Sequence, residues 1–269
     1  MTIKLIALDM DGTLLNTQGK ILASSKKALG QALSQGIKIV LCSGRPIAGL
    51  KHYLEELGIT GPDQYVLTLN GAISLSADGQ IITEDLVESS YYRKMTAFAV
   101  EHNVPFNIVT ADSRIITADH DIDFMVYVQA YENFATLYVR NPDEVPTDIA
   151  IAKGCYVGNP ELLDSIEPLA RARFGKDLYV VRADHNFLEV LNPKVNKGNG
   201  LRELCTKLGI SPEEVIAFGD QKNDISMFEF AGTAVAMGNG APEAKQYADY
   251  ITDTNDNDGI AKALEKYLK

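Results

Sequence analysis

Apart from Lys4, the stretch Ile3–Leu8 is apolar, and it ends on Asp9-Met10-Asp11-Gly12, the pattern of a buried strand running into a tight turn. Behind it, Ala28, Leu29, Ala32 and Leu33 recur at helical spacing, with Ser24 placed to cap the helix and Gly36 to stop it. Residues 37–41 form a second apolar run that leads into Cys42-Ser43-Gly44-Arg45-Pro46. Proline suits the first position of a helix, which the pattern continues to Leu57, with Gly58 as its stop. Residues 65–69 read as a third strand, ending at Asn70-Gly71.

The last third resumes this alternation. A helix runs from Lys197 through Leu208 to Gly209, and a strand over 215–218 ends at Gly219-Asp220. A helix over 223–231, a strand over 233–237 ending at Gly238-Asn239, a short strand over 250–252 and a closing helix complete the pattern. Strands separated by helices of this length imply right-handed crossovers and a parallel sheet covered on both faces.

The middle differs. It predicts a helix over 92–102, strands over 106–109 and 149–157, a helix over 160–174, and strands over 178–181 and 187–191. The expected fold is therefore α/β: a Rossmann-like parallel-sheet core built from residues 1–83 and 192–269, with an inserted α+β domain over 84–191.

Five core strands finish on Asp9, Ser43, Asn70, Asp220 and Asn239. In an open α/β sheet this edge is where ligands bind. Carboxylates ending a buried strand are costly unless positive charge meets them, although Asp9 and Asp11 alone also fit a solvated turn. Lys197 at a helix start is disfavoured by the helix dipole, so a nearby anion helps to explain it. Ser43 and the Gly44 amide suit phosphate binding at the start of the helix expected near Pro46. In the inserted domain, Glu189 lies between Leu188 and Val190 and needs a reason to be there; alternation puts it on one face with His185 and Phe187.

Composition narrows the classes. Hydrophobic residues at 46% and charged residues at 23% are ordinary for a soluble globular protein. A net charge of −11 argues against a nucleic-acid partner but not against a phosphorylated ligand, because one bound cation reverses the local field. No apolar run reaches the ~18 residues of a membrane span, and no signal-peptide pattern opens the chain, so a cytoplasmic protein without a membrane partner is expected. Cys42, Cys155 and Cys205 form no C-x-x-C pair and read as reduced thiols.

Asp9-Met10-Asp11-Gly12-Thr13, then Ser43-Gly44-Arg45, Lys197-Gly198 and Gly219-Asp220-Gln221-Lys222-Asn223-Asp224 together resemble the four ordered motifs of the haloacid dehalogenase-like phosphatases. The insertion resembles the C2-type cap of the Cof-type subfamily, and Val195-Asn196-Lys197-Gly198 with Ala236-Met237-Gly238-Asn239 is similar to its YidA-like sugar phosphatases. Gly240 departs mildly from that pattern, where a small side chain is more usual.

The resemblance implies a phosphatase acting on small phosphorylated metabolites, most of all sugar phosphates. Asp9 would be the nucleophile, Asp11 the general acid and base, and Lys197 the cation for the phosphoryl oxygens. It places Met10, Ser43, Gly44 and Asn223 with the phosphate and Glu189 with the substrate. Thr13 and Asn223 would orient the acids. Four converging acids would repel a phosphate dianion unless a divalent cation sat among them, and oxygen-only ligands favour Mg²⁺. Its ligands would come from Asp9, the Asp11 carbonyl, Asp220 and Asp224. A monomer or small homo-oligomer is expected. A sugar phosphomutase, the rival enzyme, needs a cationic cap, whereas Arg93, Arg114, Arg140, Arg171, Arg173 and Arg182 are scattered. A non-catalytic phosphometabolite-binding protein would be expected to have lost Asp9, Asp11 or Lys197.

Overall fold

A computed structural model describes residues 2–268. Its strands are β1 (Leu5–Asp9), β2 (Lys38–Cys42), β3 (Tyr65–Thr68), β4 (Ile73–Ser76), β5 (Ile81–Glu84), β6 (Phe106–Thr110) and β7 (Arg114–Thr117). Then follow β8 (Thr136–Val139), β9 (Ile151–Val157), β10 (Tyr179–Asp184), β11 (Phe187–Leu191), β12 (Val215–Gly219), β13 (Thr233–Ala236) and β14 (Tyr250–Ile251). The helices are α1 (Ala23–Ser34), α2 (Lys51–Glu56), α3 (Ser90–His102), α4 (Phe124–Glu132) and α5 (Pro160–Phe174). The last four are α6 (Lys197–Leu208), α7 (Ile225–Phe230), α8 (Pro242–Lys245) and α9 (Gly259–Tyr267). No helix among the described residues is long and apolar enough to cross a membrane.

The chain folds as two compact units. The first runs to Gly44, continues over Lys51–Glu84 and resumes at Asn196; the second comprises Arg45–Leu50 and Asp85–Val195. The first unit holds an eight-stranded sheet in the order β14-β13-β12-β1-β2-β3-β4-β5. Pairing is parallel from β14 to β3 and antiparallel from β3 to β5. All five residues of β1 are buried, including Asp9 at its carboxyl end, because β1 is flanked on both sides by other strands. Leu5, Ala7 and Val40 pack with Leu201 and Leu204 of α6 in the core.

The second unit holds a six-stranded sheet in the order β10-β11-β9-β6-β7-β8, antiparallel except between β7 and β8. Phe106, Ile108, Tyr156 and Leu188 on one face form a core with Phe98 of α3 and Leu163 of α5. The opposite face is polar in part, since Asn107 pairs with Cys155 and Cys155 with Glu189 across neighbouring strands.

Three local expectations need correction. Ser24 does not cap α1: the cap position is Leu22, and the Ser24 hydroxyl donates to Asp258 at 2.5 Å. The helix expected from Pro46 to Leu57 is broken. Pro46 is extended (ψ 166°), Ile47–Gly49 form a single 3₁₀ turn, and α2 proper starts at Lys51. The short elements β4, β5, β7, α4 and β8 lie in stretches that the hydrophobic pattern left without structure.

Candidate active site

Asp9 ends β1, and Asp220 follows β12, the neighbouring parallel strand, so sheet register alone brings the two carboxylates to one edge. The turn after Asp9 is tight. Gly12 has φ +82°, and a β-carbon there would lie 2.4 Å from Asp220 Oδ2, so only glycine admits that carboxylate. Asn239, at the end of β13, donates through Nδ2 to the Gly12 carbonyl at 2.7 Å and is itself held by the Asn255 amide at 2.9 Å. Thr13 Oγ1 and Gln221 Nε2 donate to the two Asp220 oxygens at 3.0 and 3.1 Å.

Lys197 is the first residue of α6, capped by Asn196, whose side chain accepts from the Asn199 amide at 2.8 Å. Its ammonium is 1% exposed and donates to Asp9 Oδ1 at 2.5 Å and to Asp224 Oδ1 at 2.6 Å. The second Asp224 oxygen accepts from the Asp220 and Gln221 amides at 2.9 and 3.0 Å. Asp224 therefore clasps the loop that presents Asp220 and also anchors the lysine.

Asp9, Asp220 and Asp224 are all buried, and each offers an oxygen within 4.8 Å of the others. Burial, followed by the Asp224 charge, raises the Asp9 carboxyl well above its ordinary range, with Lys197 opposing. Burial and then Asp224 likewise raise Asp220, against the hydrogen bonds from Thr13 and Gln221. For Lys197, burial favours the neutral amine, but Asp9 and Asp224 outweigh it and hold the ammonium charged. Three buried acids face one ammonium, a group of oxygens that could hold a divalent cation. The donors are all oxygens, which suits a hard cation.

The remaining candidate residues are placed unevenly. Asp11 is exposed at the turn, bridging to Leu15, and stands outside the buried three-acid group. The Met10 side chain is fully buried, so any contact it makes with a ligand is through its backbone. Ser43 is buried, donating its amide to the Leu67 carbonyl and accepting from the Asn70 amide, each at 2.9 Å. No regular helix starts at Gly44; the space beside its α-carbon is closed by Asn70, 3.3 Å from where a β-carbon would be. Asn223 reaches Asn70 Oδ1 at 3.4 Å.

Glu189 belongs to the second unit and is bonded to Lys153 of β9, both side chains being buried. His185 is exposed in the turn between β10 and β11. Lys153, Gln221 and Asn239 carry structural tasks that residue type alone did not reveal. Of these, only Asn239 had a visible signal, a polar residue closing a core strand.

A parallel sheet whose carboxyl edge gathers three acids around a buried lysine has the form of the haloacid dehalogenase-like hydrolases. The family model for haloacid dehalogenase-like hydrolases matches residues 6–264, and the chain belongs to that family. It is 35% identical over 268 residues to YxeH of Bacillus subtilis (strain 168), a protein named as a candidate phosphatase, covering 98% of each chain. Its fold matches the crystal structure of a haloacid dehalogenase-like hydrolase from Bacteroides thetaiotaomicron with a TM-score of 0.89 and 33% identity, covering 99% of this chain and 100% of the other. A sugar phosphatase of the family's subclass IIB, BT4131, matches with a TM-score of 0.79 and 26% identity, covering 98% of this chain and 99% of its own.

Proposed function

We propose that the protein is a Mg²⁺-dependent phosphatase of small phosphorylated metabolites, sugar phosphates foremost. The observation that carries this reading is the buried Lys197 ammonium held between Asp9 and Asp224, with Asp220 alongside. Asp9 attacks phosphorus: its Oδ–P bond forms as the bond from phosphorus to the leaving oxygen breaks. Asp11, exposed at the turn after β1, delivers a proton to that oxygen. Asp11 then takes a proton from water as the water oxygen attacks the aspartyl phosphate, which releases inorganic phosphate and restores Asp9. Lys197 opposes the protonation of Asp9 that burial and Asp224 favour, and offers positive charge to the phosphoryl oxygens. Asp9, Asp220 and the Asp11 carbonyl would hold Mg²⁺, which supplies the remaining charge neutralisation. Asp224, with both oxygens engaged, acts as orienter of Lys197 and of the Asp220 loop.

The second unit is the cap that selects substrate in this reading. Sugar phosphates are favoured by the similarity to a subclass IIB sugar phosphatase. Hydrolysis is favoured over isomerisation because four of the six cap arginines are already paired with acids: Arg93 with Asp143, Arg114 with Asp112, Arg171 with Glu167 and Arg182 with Asp164. The test is a phosphate-release screen over sugar phosphates, nucleotides and phosphorylated cofactors, with and without chelator. Release confined to sugar phosphates and abolished by chelation is expected. Isomerised sugar phosphate without free phosphate, or turnover indifferent to chelator, overturns the proposal.

A further inference from the structure

Helix α4 does not look like a surface helix. Its sequence Phe-Met-Val-Tyr-Val-Gln-Ala-Tyr-Glu carries no charge before its last residue. One face is buried through Val126, Gln129 and Ala130. The opposite face exposes Phe124, Tyr127 and Tyr131 by 70%, 53% and 72%. A helix apolar all round is normally covered on all sides. In the same unit, α3 and α5 follow the usual rule, showing Arg93, Lys94 and Glu101, or Glu161, Asp164 and Arg171, to solvent.

The aromatic positions 124, 127 and 131 are spaced three and four apart, the alternation by which one helix presents a seam to another helix. The rings form a continuous row: Phe124 and Tyr127 have centroids 6.4 Å apart, and Tyr127 and Tyr131 stack at 6.1 Å. With ~200 Å² per aromatic ring, the exposed fractions amount to on the order of 400 Å² of aromatic surface. A stable interface needs ~800 Å² per partner, and this row supplies about half of that before its half-buried neighbours Met125 and Val128 are counted.

We propose that α4 is the seam of a homodimer, packed against α4 of a second copy about a twofold axis. A seam spaced for a helix calls for a helix, and the second copy supplies an identical one, which a twofold axis makes self-complementary. The seam interior is free of charge in a chain of net charge −11, so two copies meet there without repulsion. Antiparallel packing also opposes the two helix dipoles. It brings Asp123 at the start of one helix toward Glu132 at the end of the other, so added salt tightens the dimer.

The test is sedimentation velocity on the full chain at low- and high-micromolar concentration, with and without added salt. The wild type is expected at twice the chain mass, more completely so in high salt. The double variant Tyr127→Glu with Tyr131→Glu is expected at the chain mass, dimerising about a hundredfold or more less tightly, with unchanged phosphate release. Tyr127→Ser with Tyr131→Ser serves if the glutamates impair folding. Because Cys42, Cys155 and Cys205 are buried, Tyr127→Cys should cross-link on oxidation while the exposed Val100→Cys does not. A wild type monomeric at every concentration, a dimer that survives both double variants, or a monomer that floats with phospholipid vesicles through this row each overturns the proposal.

Discussion

Lys197→Met should destabilise the first unit, and the deficit should grow as pH rises from acid toward neutrality. The Lys197 ammonium lies 2.5 Å from Asp9 and 2.6 Å from Asp224, and the side-chain exposures of the three are 1%, 10% and 0%. Methionine fills most of the space of the lysine stem, so little cavity is created and the loss is mainly one of charge. Removing one partner of a buried ion pair costs about 3–5 kcal/mol. For a unit of this size that is on the order of 10 °C in melting temperature.

The sign follows from linkage. Burial and Asp224 already raise the Asp9 carboxyl above its ordinary value of 3.8, and the lysine is what opposes them. Without it the folded-state value rises further. A carboxyl raised in the folded state costs nothing where both states are protonated, and costs progressively more as pH climbs from the unfolded value through the folded one. Lys197 itself, raised above 10.5 in the folded state, gives its stabilisation in full below that value and stays charged throughout the assay. Thermal melts of wild type, Lys197→Met, Asp224→Asn and the double variant, from about pH 5 to about pH 8, measure the gap. The double variant should be less destabilised than the sum of the singles, because each removes the other's partner. A gap that stays flat or narrows toward neutral pH, or that is below the ~1 kcal/mol of an exposed pair, refutes the reasoning.

Asp9→Asn should abolish phosphate release while leaving the circular dichroism spectrum unchanged, since the amide carbonyl still accepts from Lys197; normal turnover would rule out Asp9 as nucleophile. Gly12→Ala should lower kcat about a hundredfold, because its β-carbon would sit 2.4 Å from Asp220 Oδ2 on a backbone with φ +82°, and steady-state kinetics at saturating Mg²⁺ reads the loss. Lys153→Met should cost about 3–5 kcal/mol in the second unit, and adding Glu189→Leu should restore much of it; equal instability of single and double variants would show that the pair is not the cause.

The elements that were legible in the sequence carry their own boundaries. Helix α5 begins and ends where Pro160 and Phe174 said it should, because Asn159 caps it, accepting from the Leu162 amide at 2.9 Å, and proline occupies its first turn. Helix α6 stops at Gly209 with φ +66°. Helix α4 was missed for the opposite reason: apolar on both faces, it offers no contrast at a period of 3.6. Pro46 misled because one residue suits both a helix start and an extended entry to a 3₁₀ turn, and only the surrounding packing chooses.

The site divides in the same way. Asp9, Asp220 and Lys197 were visible because each is a charge at the end of an apolar element, where the cost of burial demands an answering charge. That demand is local, but the answer is not. Glu189 made the same demand between two apolar neighbours, and the expected answer was a ligand. Within the protein the answering charge is Lys153, 36 residues away, brought within reach because β9 and β11 are neighbours in antiparallel register. A buried charge in a sequence therefore announces that a partner exists, while the sheet register decides whether that partner is the protein's own or something it must bind. At Glu189 the register supplies a lysine for one acid; at Asp9 helix α6 supplies one lysine for three, the imbalance on which the proposed cation and phosphate rest.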